Sequence, residues 1–166
     1  LSHETRLRIA LALDPDLDGA TMYKNILLPT DGSEPSQRAV AAGVNFAKEL
    51  GAAVFGLTAI PEFHTFTYKT EMLEDTPEEY ALASQKRAQQ LLDDIASQAR
   101  VAGVTCSCEH AISDNPYEAI LEAATKHGCD LIIMASHGRS GLKGLLLGSE
   151  TQKVLVHSSI PVLVHR

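Results

Sequence analysis

The densest chemistry in the sequence lies in one stretch, Ala135-Ser136-His137-Gly138-Arg139-Ser140-Gly141-Leu142-Lys143-Gly144-Leu145-Leu146-Leu147-Gly148-Ser149. Its glycines let the backbone approach a ligand closely or take a positive φ. Gly148 and Ser149 open a helix, and Ser149 with Gln152 has the S-x-x-Q spacing of a capping box. Free amides and the positive dipole end at Ser149, Glu150 and Thr151 make an anion site there. Arg139 and Lys143 are placed to supplement it, and residues 135–149 contain no Asp or Glu. A plain glycine-rich crossover has the same spacing. The stretch is neither a Walker loop, which needs G-K-[ST], nor the G-x-G-x-x-G dinucleotide fingerprint.

A second polar loop, Pro29-Thr30-Asp31-Gly32-Ser33, follows an apolar run. Asp31 is read there as a ligand contact or as a turn former, since Asp-Gly favours turns without any ligand. His137 is read either as a ligand contact or as a hydrogen-bond partner of its own loop. Ser149 is expected to cap its helix with or without an anion, and Met134 to be at least partly core.

The elements that must position these loops alternate strictly. Asn25–Pro29 is a short continuous apolar run, as a buried parallel strand should be. Ser33 caps a helix over 34–50, with Ala39, Val40, Val44 and Ala47 facing the sheet and Gly51 ending it. A second strand spans 53–60, followed by a polar and aromatic loop over 61–75. Thr76, Pro77 and Glu79 have the cap, proline and box logic of a helix start, and that helix runs to about Ala102. Residues 104–112 form a third strand of mixed character, suited to a sheet edge. Asn115-Pro116-Tyr117-Glu118 repeats the helix-start logic, for a helix ending near His127. Residues 130–135 form the most apolar strand, expected to be central. A helix over 149–157 and a last strand over 161–164 complete the order. Such alternation implies an open, doubly wound α/β fold: a parallel sheet with helices on both faces and right-handed crossovers.

Composition bounds the function. The chain has 166 residues, 45% hydrophobic and 21% charged, enough for one domain with a full core. Its 14 basic against 21 acidic side chains give a net charge of −7, which argues against nucleic acid or an anionic membrane as partner. No apolar stretch approaches the ~18 residues a membrane span requires. Three cysteines do not make a disulfide framework; Cys106 and Cys108 would share one strand face, and reduced thiols in a cytoplasmic protein are expected. No Cys/His set completes a structural metal site. Residues 1–21 differ in character from the rest, and Met22 is read as the start of the domain (22–166). The first 21 residues are then an extension ahead of it, of the kind that cloning also appends. Their D-x-D-x-D-G run has half the pattern of a calcium loop, but Asn25 stands where the bidentate Glu belongs, so a solvated acidic turn is preferred.

From Met22 to Arg166 the chain resembles the universal stress protein family. Ile26-Leu27-Leu28-Pro29-Thr30-Asp31-Gly32-Ser33 is similar to that family's first strand and loop. Ala135-Ser136-His137-Gly138, nine residues and Gly148-Ser149 are similar to its nucleotide motif, G-x2-G-x9-G-[ST], and Pro161-Val162-Leu163-Val164 to its last strand. The resemblance implies a Rossmann-like fold of the adenine nucleotide alpha hydrolase type, with five strands in the order 3-2-1-4-5. In the branch carrying the motif it implies ATP binding, with Mg2+ or Mn2+. Carried over by position, Pro29, Thr30 and Asp31 lie by the adenosine and Ala59 walls the adenine. Met134, Ala135, His137 and Gly138 line ribose and phosphates, and Gly148, Ser149, Glu150 and Thr151 hold the phosphate chain; Arg139 joins them as the cation beside that site. Two positions depart from the pattern. Ala135 replaces the first motif glycine, which requires a negative φ there, and Glu150 brings a carboxylate to the phosphate end.

The leading expectation is a nucleotide-binding stress-response protein acting as a regulatory or interaction module. The alternatives are a slow ATP-hydrolysing enzyme and an interaction module of the same fold without a nucleotide. Efficient phosphoryl transfer needs a positioned base, and the loop offers no acidic residue aimed at a water. Adenylating relatives of this architecture carry an S-G-G-x-D-[ST] loop that Thr30-Asp31-Gly32-Ser33 does not match. A response-regulator receiver needs an acidic cluster, to which only Asp31 answers. The apolar last strand at a sheet edge, 161–165, implies a homodimer through antiparallel pairing.

Overall fold

A computed structural model describes residues 22–62, 77–138 and 147–166. Residues 1–21, most of the 61–75 loop, the Thr76 cap, Arg139 and Lys143 lie outside the described residues. The chain order is β1 (Asn25–Pro29), α1 (Glu34–Leu50), β2 (Ala53–Ile60), α2 (Pro77–Ala102), β3 (Cys106–Ile112), α3 (Pro116–Lys126), β4 (Leu131–Ala135), α4 (Ser149–His157) and β5 (Val162–His165). The five strands form one parallel sheet in the order β3-β2-β1-β4-β5. The expected order and alternation are therefore found, with β3 on an edge and β4 in the interior.

Strand alternation sorts the side chains into two cores. Ile26 and Leu28 of β1, Val54 of β2, and Leu131 and Ile133 of β4 pack under α1 and α2, against Val40, Val44, Ala47, Ile95 and Ala99. Leu27, Phe55, Leu57, Ile132 and Met134 point the other way, against Ile120, Ala123 and Ala124 of α3 and Val154 of α4. A strand buried on both faces has no polar side to offer, which is why β1 and β4 read as continuous apolar runs. Each such side chain, taken fully out of water, contributes roughly 1.5–3 kcal/mol.

Helix ends follow local chemistry in part. Ser33 is the N-cap of α1, its hydroxyl accepting from the Ser36 amide at 3.4 Å, and Gly51 closes the helix in the left-handed region. At α3, Asn115 sits at the N-cap position, but its side chain donates to Glu118 at 3.2 Å and caps no amide. At α4 the expected serine cap is corrected: Gly148 is the N-cap, Ser149 is the first helical residue, and Gln152 donates its side-chain amide to the Leu147 carbonyl at 3.0 Å. The S-x-x-Q box does not form, because Ser149 already lies inside the helix.

β1 leads into α1 on one face of the sheet and β4 into α4 on the other, so the strand order reverses between these two neighbours. The crevice between them, at the carboxyl ends of the strands, is where an open sheet of this kind takes ligands.

Candidate functional site in the crevice between the β1 and β4 loops

The β1 side of the crevice is a hydrogen-bonded turn. Thr30 donates its amide to the Leu57 carbonyl of β2 at 2.8 Å, and its buried hydroxyl lies 3.0 Å from that of Ser36. One Asp31 carboxylate oxygen accepts from the Ser33 amide at 2.9 Å and the Ser33 hydroxyl at 2.6 Å. The turn-forming reading of Asp31 is thus realised, and it leaves the other oxygen facing the β4 loop. Gly138 packs there: a Cβ built on it would overlap Asp31 Oδ2.

The β4 side is closed by backbone. Ser136 donates its amide to the His165 carbonyl at 2.8 Å and accepts the Gly148 amide at 2.8 Å, so one buried residue holds β5 and both ends of the 137–147 loop. Its hydroxyl lies 3.0 Å from His137 Nδ1, so His137 does bond within its own loop. Gly148 rests on His137, and a Cβ on it would stand 3.2 Å from the His137 Cα. Thr151, buried on the first turn of α4, donates its hydroxyl to the Ala135 carbonyl at 3.0 Å. Neither Gly138 nor Gly148 has a positive φ; each instead leaves room for a close neighbour, the Asp31 carboxylate and the His137 backbone. No non-glycine residue among those described has a positive φ, so Ala135 satisfies the condition its replacement of glycine sets.

The first intrahelical bond of α4 runs from the Gln152 amide to the Gly148 carbonyl. The amides of Ser149, Glu150 and Thr151 therefore have no acceptor within the helix, and Gly148 has no side chain to cap them. Glu150 does not turn back on them. Its Oε2 accepts from the Tyr117 amide at 3.0 Å and its Oε1 from Lys153 Nζ at 2.8 Å. The first of these bonds supplies, from across the sequence, the cap that Asn115 fails to give α3. The Glu150 contact in turn holds the Lys153 ammonium above its usual pKa. Glu150→Ala is expected to lower stability by about 1 kcal/mol, the cost of a lost helix cap, read as an earlier urea midpoint with an unchanged slope.

The structure thus joins Asp31, His137, Gly138, Gly148, Glu150 and Thr151 through the two loops and the start of α4. Pro29 ends β1 in register with Leu57, and Ala59, half-buried, pairs with Ala111 of β3 two residues further along β2. Met134 belongs to the core beneath α3 and α4 rather than to the crevice surface. Ser149 is exposed at the helix start. Arg139 lies outside the described residues. Sequence reasoning missed Ser136 as the residue that closes the loop; its place between Ala135 and His137 in the motif was the available signal. Among the described residues no group of three or more His, Cys, Asp or Glu side chains is arranged to hold a metal, and no helix is long and apolar enough to cross a membrane.

A sequence model described as the universal stress protein family matches residues 22–166. The chain belongs to the universal stress protein family. A universal stress protein of Methanocaldococcus jannaschii, MJ0531, is 31% identical over 155 residues, covering 89% of this chain and 84% of that protein. Among solved structures, that of MJ0577 from the same organism has 31% identity and a TM-score of 0.72, covering 86% of this chain and 95% of that one. A universal stress protein solved in complex with cAMP shares the fold at a TM-score of 0.63 and 24% identity, covering 87% of this chain and 97% of that one.

Proposed function

We propose that this universal stress protein binds ATP in the crevice between the β1 and β4 loops, and that its output is a conformational or oligomeric state rather than turnover. One observation carries the reading. The start of α4 presents three amides that no side chain among the described residues caps, and the glycine before them is packed against His137 where only a glycine fits without displacement. Such an end favours a phosphate chain. Gly138 against Asp31 forms the second wall, and a fold-mate solved with cAMP supports an adenine ligand.

In this reading Pro29, Thr30 and Asp31 face the adenosine, and Ala59 walls the adenine. Ala135, His137, Gly138 and Arg139 line the ribose and phosphates, with Met134 supporting them from the core. Gly148, Ser149, Glu150 and Thr151 hold the phosphates through backbone amides and the Ser149 hydroxyl. A divalent ion, Mg2+ or Mn2+, arrives on the phosphates, since such ions commonly keep waters and few protein ligands. Glu150 favours binding over hydrolysis, because its carboxylate is engaged by Tyr117 and Lys153 and is not poised as a base. In a single-turnover mixture of excess protein with Mg-ATP, the nucleotide should be recovered intact. Brisk release of phosphate or pyrophosphate would replace the binder with an enzyme.

The same reading includes a homodimer through the last strand, residues 161–165. The carbonyls of Pro161 and His165 accept from β4, so by strand alternation the polar groups of Val162 and Val164 point to the open edge. Val164→Pro removes one outward amide and no bond to β4. It should convert dimers to monomers in light scattering; an unchanged dimer would place the interface elsewhere.

A further inference from the structure

Cys106 and Cys108 stand apart from the crevice, on the edge strand β3, and nothing in the nucleotide reading uses them. Both are half-buried, both lean on the core beneath α1 and α2, and their sulfurs are 3.6 Å apart. That is close to van der Waals contact for two sulfur atoms. The neighbouring strand is shaped around them. Gly56 of β2 is in register with Cys108, and a Cβ there would stand 2.8 Å from the Cys108 sulfur. A glycine inside a strand weakens it unless something needs the space; here the Cys108 thiol and the Ile95 side chain take it. The third cysteine, Cys129, is buried on the opposite side of the sheet.

We propose that Cys106 and Cys108 are a redox-active dithiol, a modification site that a low-molecular-weight disulfide such as oxidised glutathione converts to an intrastrand disulfide. Either thiol can open the reaction, since the hydrogen bond between the two can run in either direction. Its thiolate attacks one sulfur of glutathione disulfide, forming a mixed disulfide and expelling one glutathione thiolate. The other thiol then gives up its proton and attacks the protein sulfur of the mixed disulfide, forming the Cys106–Cys108 bond and expelling the second glutathione. The dithiol loses two electrons and two protons, and glutathione disulfide gains them as two thiols.

Two strand residues on one face are about 6.6 Å apart at the Cα, which is inside the disulfide range, but their parallel Cβ positions must close up. The strand must pucker. An edge strand, bonded among the described residues only to β2, tolerates that better than an interior one, and the strain makes the product easily reduced. The site is therefore a reversible one, set by the thiol and disulfide balance around it. This holds whether or not the crevice binds a nucleotide.

The test uses the full chain, incubated with a graded series of reduced to oxidised glutathione, acid-quenched and weighed intact. The wild type should lose two hydrogens per chain with no retained glutathione, stay monomeric in mass on non-reducing gels, and recover fully with excess reduced glutathione. The bond should map to the peptide holding both residues, with Cys129, whose thiol burial pushes up to about 11, left free. Cys106→Ser should trap glutathione on Cys108. Stable glutathione on both cysteines of the wild type, bridges between chains, or oxidation of Cys129 in preference would each overturn the proposal.

Discussion

Gly148→Glu is expected to abolish nucleotide binding while leaving the sheet and its two cores intact. A Cβ at this position meets the His137 Cα at 3.2 Å, so the His137 backbone has to give by a few tenths of an ångström. The added carboxylate also sits at the positive end of the helix, among the amides meant for phosphate, and competes with it as a like charge. Losing several phosphate contacts at once should weaken ATP binding by at least about 100-fold, roughly 2.7 kcal/mol. Equilibrium dialysis of wild type and variant against labelled ATP measures this. An unchanged far-ultraviolet circular dichroism spectrum shows that the fold survived. Gly148 lies outside both cores, and its amide bond to Ser136 uses backbone that any residue has.

The second large effect is expected at Gly138. Alanine there overlaps the Asp31 carboxylate, and that side chain is not free to retreat, because its other oxygen is fixed by the Ser33 amide and hydroxyl. One of the two loops must move away, opening the crevice. Gly138→Ala should therefore cost about 10- to 100-fold in ATP affinity, 1.4–2.7 kcal/mol. The pair Gly138→Ala and Asp31→Ala gives a sharper reading. Alone, each should weaken binding; together they should weaken it by less than the sum, since removing the carboxylate relieves the overlap. Residues in contact couple in this way, and distant ones add. Strict additivity in the double variant would mean that the two loops do not press on each other.

The fold was legible because every strand and helix announced itself locally. β1 and β4 are apolar on both faces, α1 has its serine cap and terminal glycine, and β3 has the mixed character of an edge. The motif spacing placed both walls of the crevice, since its residues fall where the sheet reverses order. What escaped the sequence was long-range. Glu150 looked like a rival to phosphate, yet its carboxylate serves an α3 amide 33 residues earlier in the chain. No local pattern announces that bond; it depends on how α3 and α4 pack on one face. The serine expected to cap α4 lost that role by one residue to Gly148, which has no side chain to cap the amides. Gly56 was silent in the sequence as well, because its reason is a sulfur on the neighbouring strand.

Calorimetric titration of the full chain with Mg-ATP measures nucleotide binding itself. A saturable exothermic signal is expected, with one nucleotide per chain, competed by other adenine nucleotides and lost in Gly148→Glu. No saturable heat up to millimolar ATP, or equal binding by wild type and Gly148→Glu, would contradict it.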